Sequence, residues 1–117
     1  MVVINLSANP EKCLIKTLEA LEEALPEIVA KNLTTYDPCD KLESGDVMIF
    51  NSKFVGPRPK NFDLCIRIEA KFSEARKSYL NAANIAISEA IREFIPTGIR
   101  YFVCITLPVA AYLTVTK

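Results

Sequence analysis

The sequence contains no histidine and no tryptophan, and its 14 basic and 14 acidic residues cancel. Without histidine, a zinc site lacks recognisable ligands, and without net charge no global field attracts nucleic acid or an anionic membrane. No apolar run reaches the length of a membrane span, and no basic segment followed by an apolar run marks a leader peptide. We therefore expect a cytoplasmic protein that binds no metal, cofactor, nucleic acid or membrane.

Paired cysteines are also lacking: the four cysteines are scattered along the chain without paired spacing. A chain of 117 residues, 50% of them hydrophobic, can form a core without disulfides, so we expect one domain with free thiols. Cys39 lies between Asp37 and Asp40, whose charges disfavour a thiolate, and we reject it as a nucleophile.

The clearest structural signal lies in residues 63–96. Residues 63–70 alternate apolar and other side chains, which predicts a strand. Ser73 is the expected amino-terminal cap of a helix, with Glu74 in its first turn. One long helix should then reach the stop at 96–98, because apolar residues recur there at three- and four-residue steps. These are Leu80, Ala83, Ile87, Ile91, Phe94 and Ile95.

The first part of the chain follows the same order. Residues 2–7 are rich in β-branched types and predict a strand, and Asn9 and Pro10 predict a helix start. Pro26 is expected to kink or restart that helix. The helix stripe comprises Leu14, Leu18, Leu21, Leu25 and Ile28. A second strand is expected at 47–50, with an extension through Phe54 and Val55, and a rigid connector at 56–59.

Residues 19–26 and 89–96 match in type at most positions, and each is expected to close a helix that follows a strand. The match indicates two halves, about 1–55 and 62–117, unless two amphipathic helices coincide in composition. The sequence therefore predicts an α+β fold: a duplicated β-α-β unit with a four-stranded sheet and two helices on one face.

The sheet face without helices bears on whether the protein forms an oligomer. If the apolar side of strand 63–70 packs on the helices, then Cys65, Arg67 and Glu69 point away from them. The last strand, expected at 99–107, carries large apolar groups on both sides and should be covered on both sides. A second copy of the chain is the natural cover, which predicts a homo-oligomer. The opposite charges of Arg67 and Glu69 would then lie near a subunit interface, where a structural role is the commoner one.

Two stretches carry a resemblance to a known family: residues 68–74, with a strand end, a small residue, Lys71 and the Ser73 cap, and residues 99–103 in the last strand. With the β-α-β order, they resemble the tautomerase superfamily, which includes 4-oxalocrotonate tautomerase, 5-carboxymethyl-2-hydroxymuconate isomerase and macrophage migration inhibitory factor. The resemblance implies a homotrimer with sheets inside, helices outside and pockets at subunit boundaries. It also implies proton transfer by an amino-terminal proline, with nearby cations holding a small carboxylate ligand.

This chain has Val2 where that family has its proline. The resemblance therefore assigns the catalytic position to the terminal amine, at Met1 or Val2, together with Lys71. It assigns substrate binding to Arg100, Tyr101 and Arg67. For Lys71 the alternative is a solvated lysine before a helix, and for Arg100 and Tyr101 it is packing at a strand edge.

Three functions stay open at this point. The first is a tautomerase-like isomerase for keto-enol conversion of a small carboxylated enol acid. The second is a non-catalytic trimeric module of the same fold for binding or assembly, which the absent proline favours. The third is a ferredoxin-like regulatory module that binds a ligand on its sheet.

Overall fold

The computed structural model describes residues 1–12, 15–53 and 62–108. The strands are β1 (Val2–Ala8), β2 (Val47–Lys53), β3 (Leu64–Ala70) and β4 (Tyr101–Thr106). The helices are α1 (Ile15–Leu33), α2 (Glu74–Ser78) and α3 (Leu80–Ala90), with short 3-10 turns at Pro38–Asp40, Ser44–Asp46 and Arg92–Phe94. The predicted connector at 56–59, the strand extension at Phe54 and Val55, and Leu14 of the helix stripe lie outside the described residues.

The four strands form one sheet in the order β2-β1-β3-β4. The outer pairs β1–β2 and β3–β4 are parallel, and the central pair β1–β3 is antiparallel. Each half is thus a β-α-β unit whose two parallel strands are direct neighbours, which confirms the predicted fold. A ferredoxin-like module has split β-α-β units instead, so the sheet order removes that alternative.

The core lies between the sheet and the helices. Alternate side chains of β1 and β3 are fully buried there, and Ile4 pairs with Ile68 across the antiparallel centre. Leu21 and Leu25 of α1 and Ile87 of α3 are also fully buried against this face. The apolar side chains that alternate along the strands and recur along the helices therefore pack together in one layer. None of the helices in the described ranges is long and apolar enough to cross a bilayer.

Helix α1 differs from the prediction at both ends. Residues after Asn9 form a turn, in which the Asn9 side chain accepts a hydrogen bond from the Glu11 N–H at 3.1 Å, and the described helix begins at Ile15. It then runs through Pro26 to Leu33 without restarting. Residues 19–26 therefore lie inside α1 and do not close it, which corrects one half of the internal match.

The helical stretch after Ser73 is divided. The cap is confirmed, because Ser73 Oγ accepts a hydrogen bond from the Arg76 N–H at 3.0 Å. Tyr79 leaves the helical conformation and separates α2 from α3. Its ring packs edge-to-face on Tyr36 with 6.4 Å between centroids, a long-range contact that helical periodicity does not reveal.

The sheet face without helices (the open face) is mixed in character. Met48 and Phe50 of β2 and Phe102 of β4 are exposed there, with 43%, 51% and 38% of their surface accessible. The central strand β3 instead presents Arg67 and Glu69 on this side, both exposed. The open face thus has apolar flanks and a charged middle.

Candidate functional site

A recess of about 190 Å³ lies where β1 begins and β3 ends. These two ends are neighbours because the strands are antiparallel, with Val2 opposite Ala70. The chain entering β1 and the chain leaving β3 therefore meet at one edge of the sheet. The recess is lined by Met1, Val3, Glu69, Ala70, Lys71 and Pro108.

Two of the residues predicted as catalytic, Met1 and Lys71, line this recess, and the third does not. Met1 is 76% exposed, and Lys71 is also exposed. The side chain of Val2 is fully buried in the core under the helices, so Val2 is next to the recess only through its backbone. The recess thus brings together one end of the chain and one ammonium side chain.

Arg67 lies on the open face in the middle of β3. Its neighbours in register are Asn5 of β1 and Cys104 of β4. It precedes Lys71 by four residues on the same strand and its continuation, which is a distance of about 13 Å in an extended chain. Burial raises the pKa of the nearby Cys65 thiol, and the charge of Arg67 partly offsets that rise.

Arg100 and Tyr101 lie at the opposite end of the sheet, since Tyr101 pairs with the first residue of β3. The Arg100 N–H donates to Asp63 Oδ2 at 3.1 Å, and the guanidinium Nε lies 3.8 Å from the same oxygen. The Tyr101 hydroxyl donates to the Ser88 carbonyl at 3.1 Å. Six residue steps along β3, about 20 Å, separate this end from the recess. Within one chain these two residues do not meet Met1 or Lys71.

A buried charge cluster lies directly behind the recess. Arg76 and Asp40 are 4% and 3% exposed, and Arg76 Nε is 3.8 Å from Asp40 Oδ1. The guanidinium also donates to three backbone carbonyls: Leu33 at 3.0 Å, Lys71 at 2.9 Å and Asp40 at 3.0 Å. One side chain thereby joins the end of α1, the 3-10 turn after it and the residue that leaves β3.

Asp40 completes this cluster through two hydroxyl donors. Thr35 Oγ1 and Ser73 Oγ donate to Asp40 Oδ2 at 2.6 and 2.7 Å. Burial by itself raises the pKa of Asp40, but these two bonds, together with the positive charges of Arg76 and Lys71, outweigh burial and hold the pKa below its usual value. The carboxylate is therefore kept ionised inside the protein.

Our sequence reasoning missed this cluster. Arg76 lies on the five-residue helix α2 next to Ala75, and both residues are buried. A buried cation needs a partner, but nothing in the local sequence marks Arg76 as buried. What the sequence could not show is that the turn at Pro38–Asp40 folds back to supply it.

The described residues contain no group of three or more side chains able to hold a metal ion. A second recess, of about 350 Å³, lies at the opposite end of the sheet and includes Arg92 and Tyr101. A groove of about 420 Å³ lies on the helix side, next to Tyr36 and Tyr79. Of the three, only the recess at the start of β1 contains residues predicted as catalytic.

Comparison with known proteins gives matches in structure alone. No family model and no curated protein matches the sequence. The structure of Leishmania major MIF2 has a TM-score of 0.59 at 18% identity, covering 97% of this chain and 93% of that one. A fused 4-OT, described as an asymmetric trimer, has a TM-score of 0.56 at 15% identity, covering 92% of this chain and 86% of that one. A 5-carboxymethyl-2-hydroxymuconate delta-isomerase has a TM-score of 0.53 at 17% identity, covering 99% of this chain and 85% of that one.

All three comparison structures belong to the tautomerase superfamily, and all three cover nearly the whole chain. Identities this low establish the architecture and leave the activity open. The resemblance seen in residues 68–74 and 99–103 is therefore confirmed at the level of the fold: this chain has the fold of the tautomerase superfamily.

Proposed function

We propose that this protein is a tautomerase-like isomerase that interconverts the enol and keto forms of a small carboxylated acid. The reaction takes place in the recess at the start of β1. The terminal amine transfers the proton, and the Lys71 ammonium holds the substrate carboxylate. The observation that carries this proposal is that Met1 and Lys71 line one recess in a protein with the tautomerase fold.

The surroundings of Lys71 support its role as an anion holder. Its ammonium makes no hydrogen bond or ion pair with any residue that the structure describes. Its backbone carbonyl, in contrast, is fixed at 2.9 Å by the buried Arg76 guanidinium. A side chain that is free to pair with a ligand, on a backbone that is held in place, is the arrangement that pre-organised binding requires.

The amine differs from that of the family, because residue 2 is Val and no terminal proline can arise by removal of Met1. A primary amine still carries a lone pair, so it can accept and donate a proton as the terminal proline of the family does. We expect slower turnover than a terminal proline would give, since the exposed Met1 is held less firmly than a residue inside the sheet.

We further propose a homotrimer in the cytoplasm, with the open face turned toward sister chains. The exposed Met48, Phe50 and Phe102 support such a cover, because burial of large apolar groups drives association. Arg100 and Tyr101 enter the proposal as substrate-binding residues of an adjoining copy, since in one chain they lie at the far end of the sheet. The described cysteines Cys39, Cys65 and Cys104 are free thiols, as a reducing compartment favours.

The test is the rate of ketonisation of phenylenolpyruvate and of 2-hydroxymuconate, each compared with buffer. We expect a rate above buffer, and we expect acetylation of the terminal amine to remove most of it. Intact mass of the native protein identifies which residue carries that amine. Rates equal to buffer at high protein concentration would refute an isomerase.

The second candidate is a non-catalytic trimeric module for binding or assembly. It is favoured by Val2 in the place of the proline and by the apolar flanks of the open face. Sedimentation equilibrium distinguishes this candidate from the first when it is combined with the assay. A stable trimer without turnover supports the module, and a monomer contradicts both.

A further inference from the structure

Three charged residues form a row along the open face of β3 and its continuation. Arg67, Glu69 and Lys71 are two residues apart, so their side chains leave the same side of an extended chain at intervals of about 6.6 Å. All three are exposed, and Glu69 and Lys71 line the same recess. The row therefore places one carboxylate between two cations at the proposed site.

Within the described part of the chain these charges act only through space, since Lys71 helps to lower the pKa of Asp40 and Arg67 that of Cys65. Among the residues that the structure describes, neither a hydrogen bond nor an ion pair involves the side chain of Arg67, Glu69 or Lys71. Charges elsewhere are engaged: Asp40 with Arg76, and Asp63 with Lys12 and Arg100. A charged group that does no structural work at a recess is a candidate for chemistry.

The backbone of Glu69 is also fixed more firmly than the chain terminus that lines the same recess. It belongs to a central strand and is held in register by Val3 on one side and Thr106 on the other. Met1, which carries the terminal amine, precedes the strand and is 76% exposed. Conversion of an enol to a ketone moves protons at two atoms, an oxygen and a carbon, and a second, firmly placed group makes the transfer easier.

We propose that Glu69 is the second proton-transferring residue of the reaction, an inference that rests on the proposed isomerase function. The Glu69 carboxylate accepts the proton of the enol hydroxyl, and the electrons of that O–H bond form the carbonyl. The electrons of the C=C bond take a proton from the terminal ammonium and form the new C–H bond. Transfer of the proton from Glu69 to the amine restores both groups, so atoms and charge balance over the cycle.

The two cations explain why a carboxylate can act beside an anionic substrate. Lys71 and Arg67 lie on either side of Glu69 and offset the repulsion between its charge and the carboxylate of the ligand. The substrate class that fits is a short 2-enol or 2-keto acid, in which the carboxylate is next to the reacting oxygen. A longer neutral ketone would leave Lys71 without a partner.

The competing explanation is structural: the row pairs with charges of a sister chain and sets the register of the assembly. This explanation predicts that changes at Glu69 alter the association state. The catalytic explanation predicts that they alter the rate at constant association state.

The experiment compares ketonisation of phenylenolpyruvate by the wild type, Glu69→Gln, Glu69→Asp and Glu69→Ala, with sedimentation of each variant. Glu74→Gln is the matched control, because Glu74 is an exposed carboxylate on α2 that does not line the recess. We expect Glu69→Gln to lose about 10²- to 10⁴-fold in kcat, the usual contribution of a general acid or base, and Glu69→Asp to lose less. We expect added formate to restore part of the rate of Glu69→Ala and to leave the other variants unchanged.

Each outcome decides the matter. Lost turnover with formate rescue and an unchanged association state supports a proton-transferring Glu69. Wild-type turnover in Glu69→Gln overturns this inference and leaves the isomerase proposal standing. Loss of turnover together with a changed association state and no rescue also overturns it, in favour of the structural explanation. Absence of turnover in the wild type overturns the isomerase proposal, and this inference with it.

Discussion

Two clusters of charge are joined in space at Lys71, whose carbonyl accepts a hydrogen bond from Arg76, and they differ in almost every structural respect. The cluster of Asp40 and Arg76 is buried, and its hydrogen bonds reach three separate segments. The row of Arg67, Glu69 and Lys71 is exposed and has no hydrogen bond or ion pair within the described part of the chain. The difference teaches that charge in this protein has two uses: the buried cluster holds the backbone, and the exposed row is available to a ligand.

The largest effect is expected when the buried cluster is broken. Arg76→Met leaves Asp40 as an uncompensated buried charge and frees three backbone carbonyls, so we expect a loss of about 3–5 kcal/mol in the free energy of unfolding. Urea denaturation measures it. Lys77→Met, at the next and exposed position of α2, is the control and should stay within about 0.5 kcal/mol. Equal losses in both variants would show that burial of Arg76 is not what matters.

A smaller loss in the free energy of unfolding is expected for Asp40→Asn, and its size depends on pH. The folded state lowers the pKa of Asp40, so its contribution is fully present above the unfolded value of about 3.9 and is lost as the pH falls through the folded value. Asp40→Asn should cost about 1–3 kcal/mol at pH 7, because two hydroxyl donors and Arg76 lose a charged acceptor. Thermal unfolding between pH 7 and pH 3 should show a shallower acid loss for the variant. Parallel curves for the two proteins would contradict an ionised, stabilising Asp40.

The exposed row should respond in the opposite way, with activity changing and stability unchanged. Lys71→Met removes the proposed carboxylate partner, and one charged hydrogen bond corresponds to a loss of roughly 10- to 100-fold in kcat/KM. Because Lys71 is exposed, the free energy of unfolding should move by less than about 0.5 kcal/mol. Lys77→Met serves again as the control, now with unchanged turnover. Normal turnover in Lys71→Met would remove Lys71 from the site.

The smallest effect is expected on the reactivity of the Cys65 thiol, which lies near Arg67 of the row. Arg67 lowers the pKa of Cys65 against the rise caused by burial, so Arg67→Met should raise that pKa and slow alkylation of Cys65. An exposed charge contributes a few tenths of a kcal/mol, which corresponds to a rate change of about two- to threefold. Mass spectrometry of the labelled peptides measures it, with Arg92→Met as the control at the far end of the sheet. A faster reaction in Arg67→Met would reverse the expected sign.

Local pattern was enough to predict much of this fold. Alternation in residues 63–70 predicted β3 to within one residue, the Ser73 cap was correct, and the apolar stripe of α3 packs on the sheet as expected. The break at Tyr79 was missed because the apolar repeat that begins at Leu80 carries no signal for an interruption before it. Of the two expectations for Pro26, the restart is wrong: α1 continues through it, because the local cost of proline is offset by the packing of Leu21, Leu25 and Val29 around it.

The resemblance to the tautomerase superfamily assigned Met1 and Lys71 to one site. Their closeness in the structure depends on the antiparallel pairing of β1 with β3, which the sequence patterns did not predict. Arg100 could not be placed, since its position depends on the register between β3 and β4 and on the Asp63 carboxylate that holds it. The Asp40 and Arg76 cluster was hidden because it joins residues far apart in the sequence, and its formation depends on tertiary packing.

The most direct test of the account is the location of ligand binding. Phenylpyruvate titrated into ¹⁵N-labelled protein should shift the backbone amide signals of Val3, Ala70 and Lys71, which surround the recess. Amide signals of the buried cluster around Asp40 should shift less, because the cluster is linked to the recess through the hydrogen bond between Arg76 and the Lys71 carbonyl. Shifts confined to the end of the sheet around Asp63 and Arg100, or no shifts at millimolar ligand, would contradict a site at the start of β1.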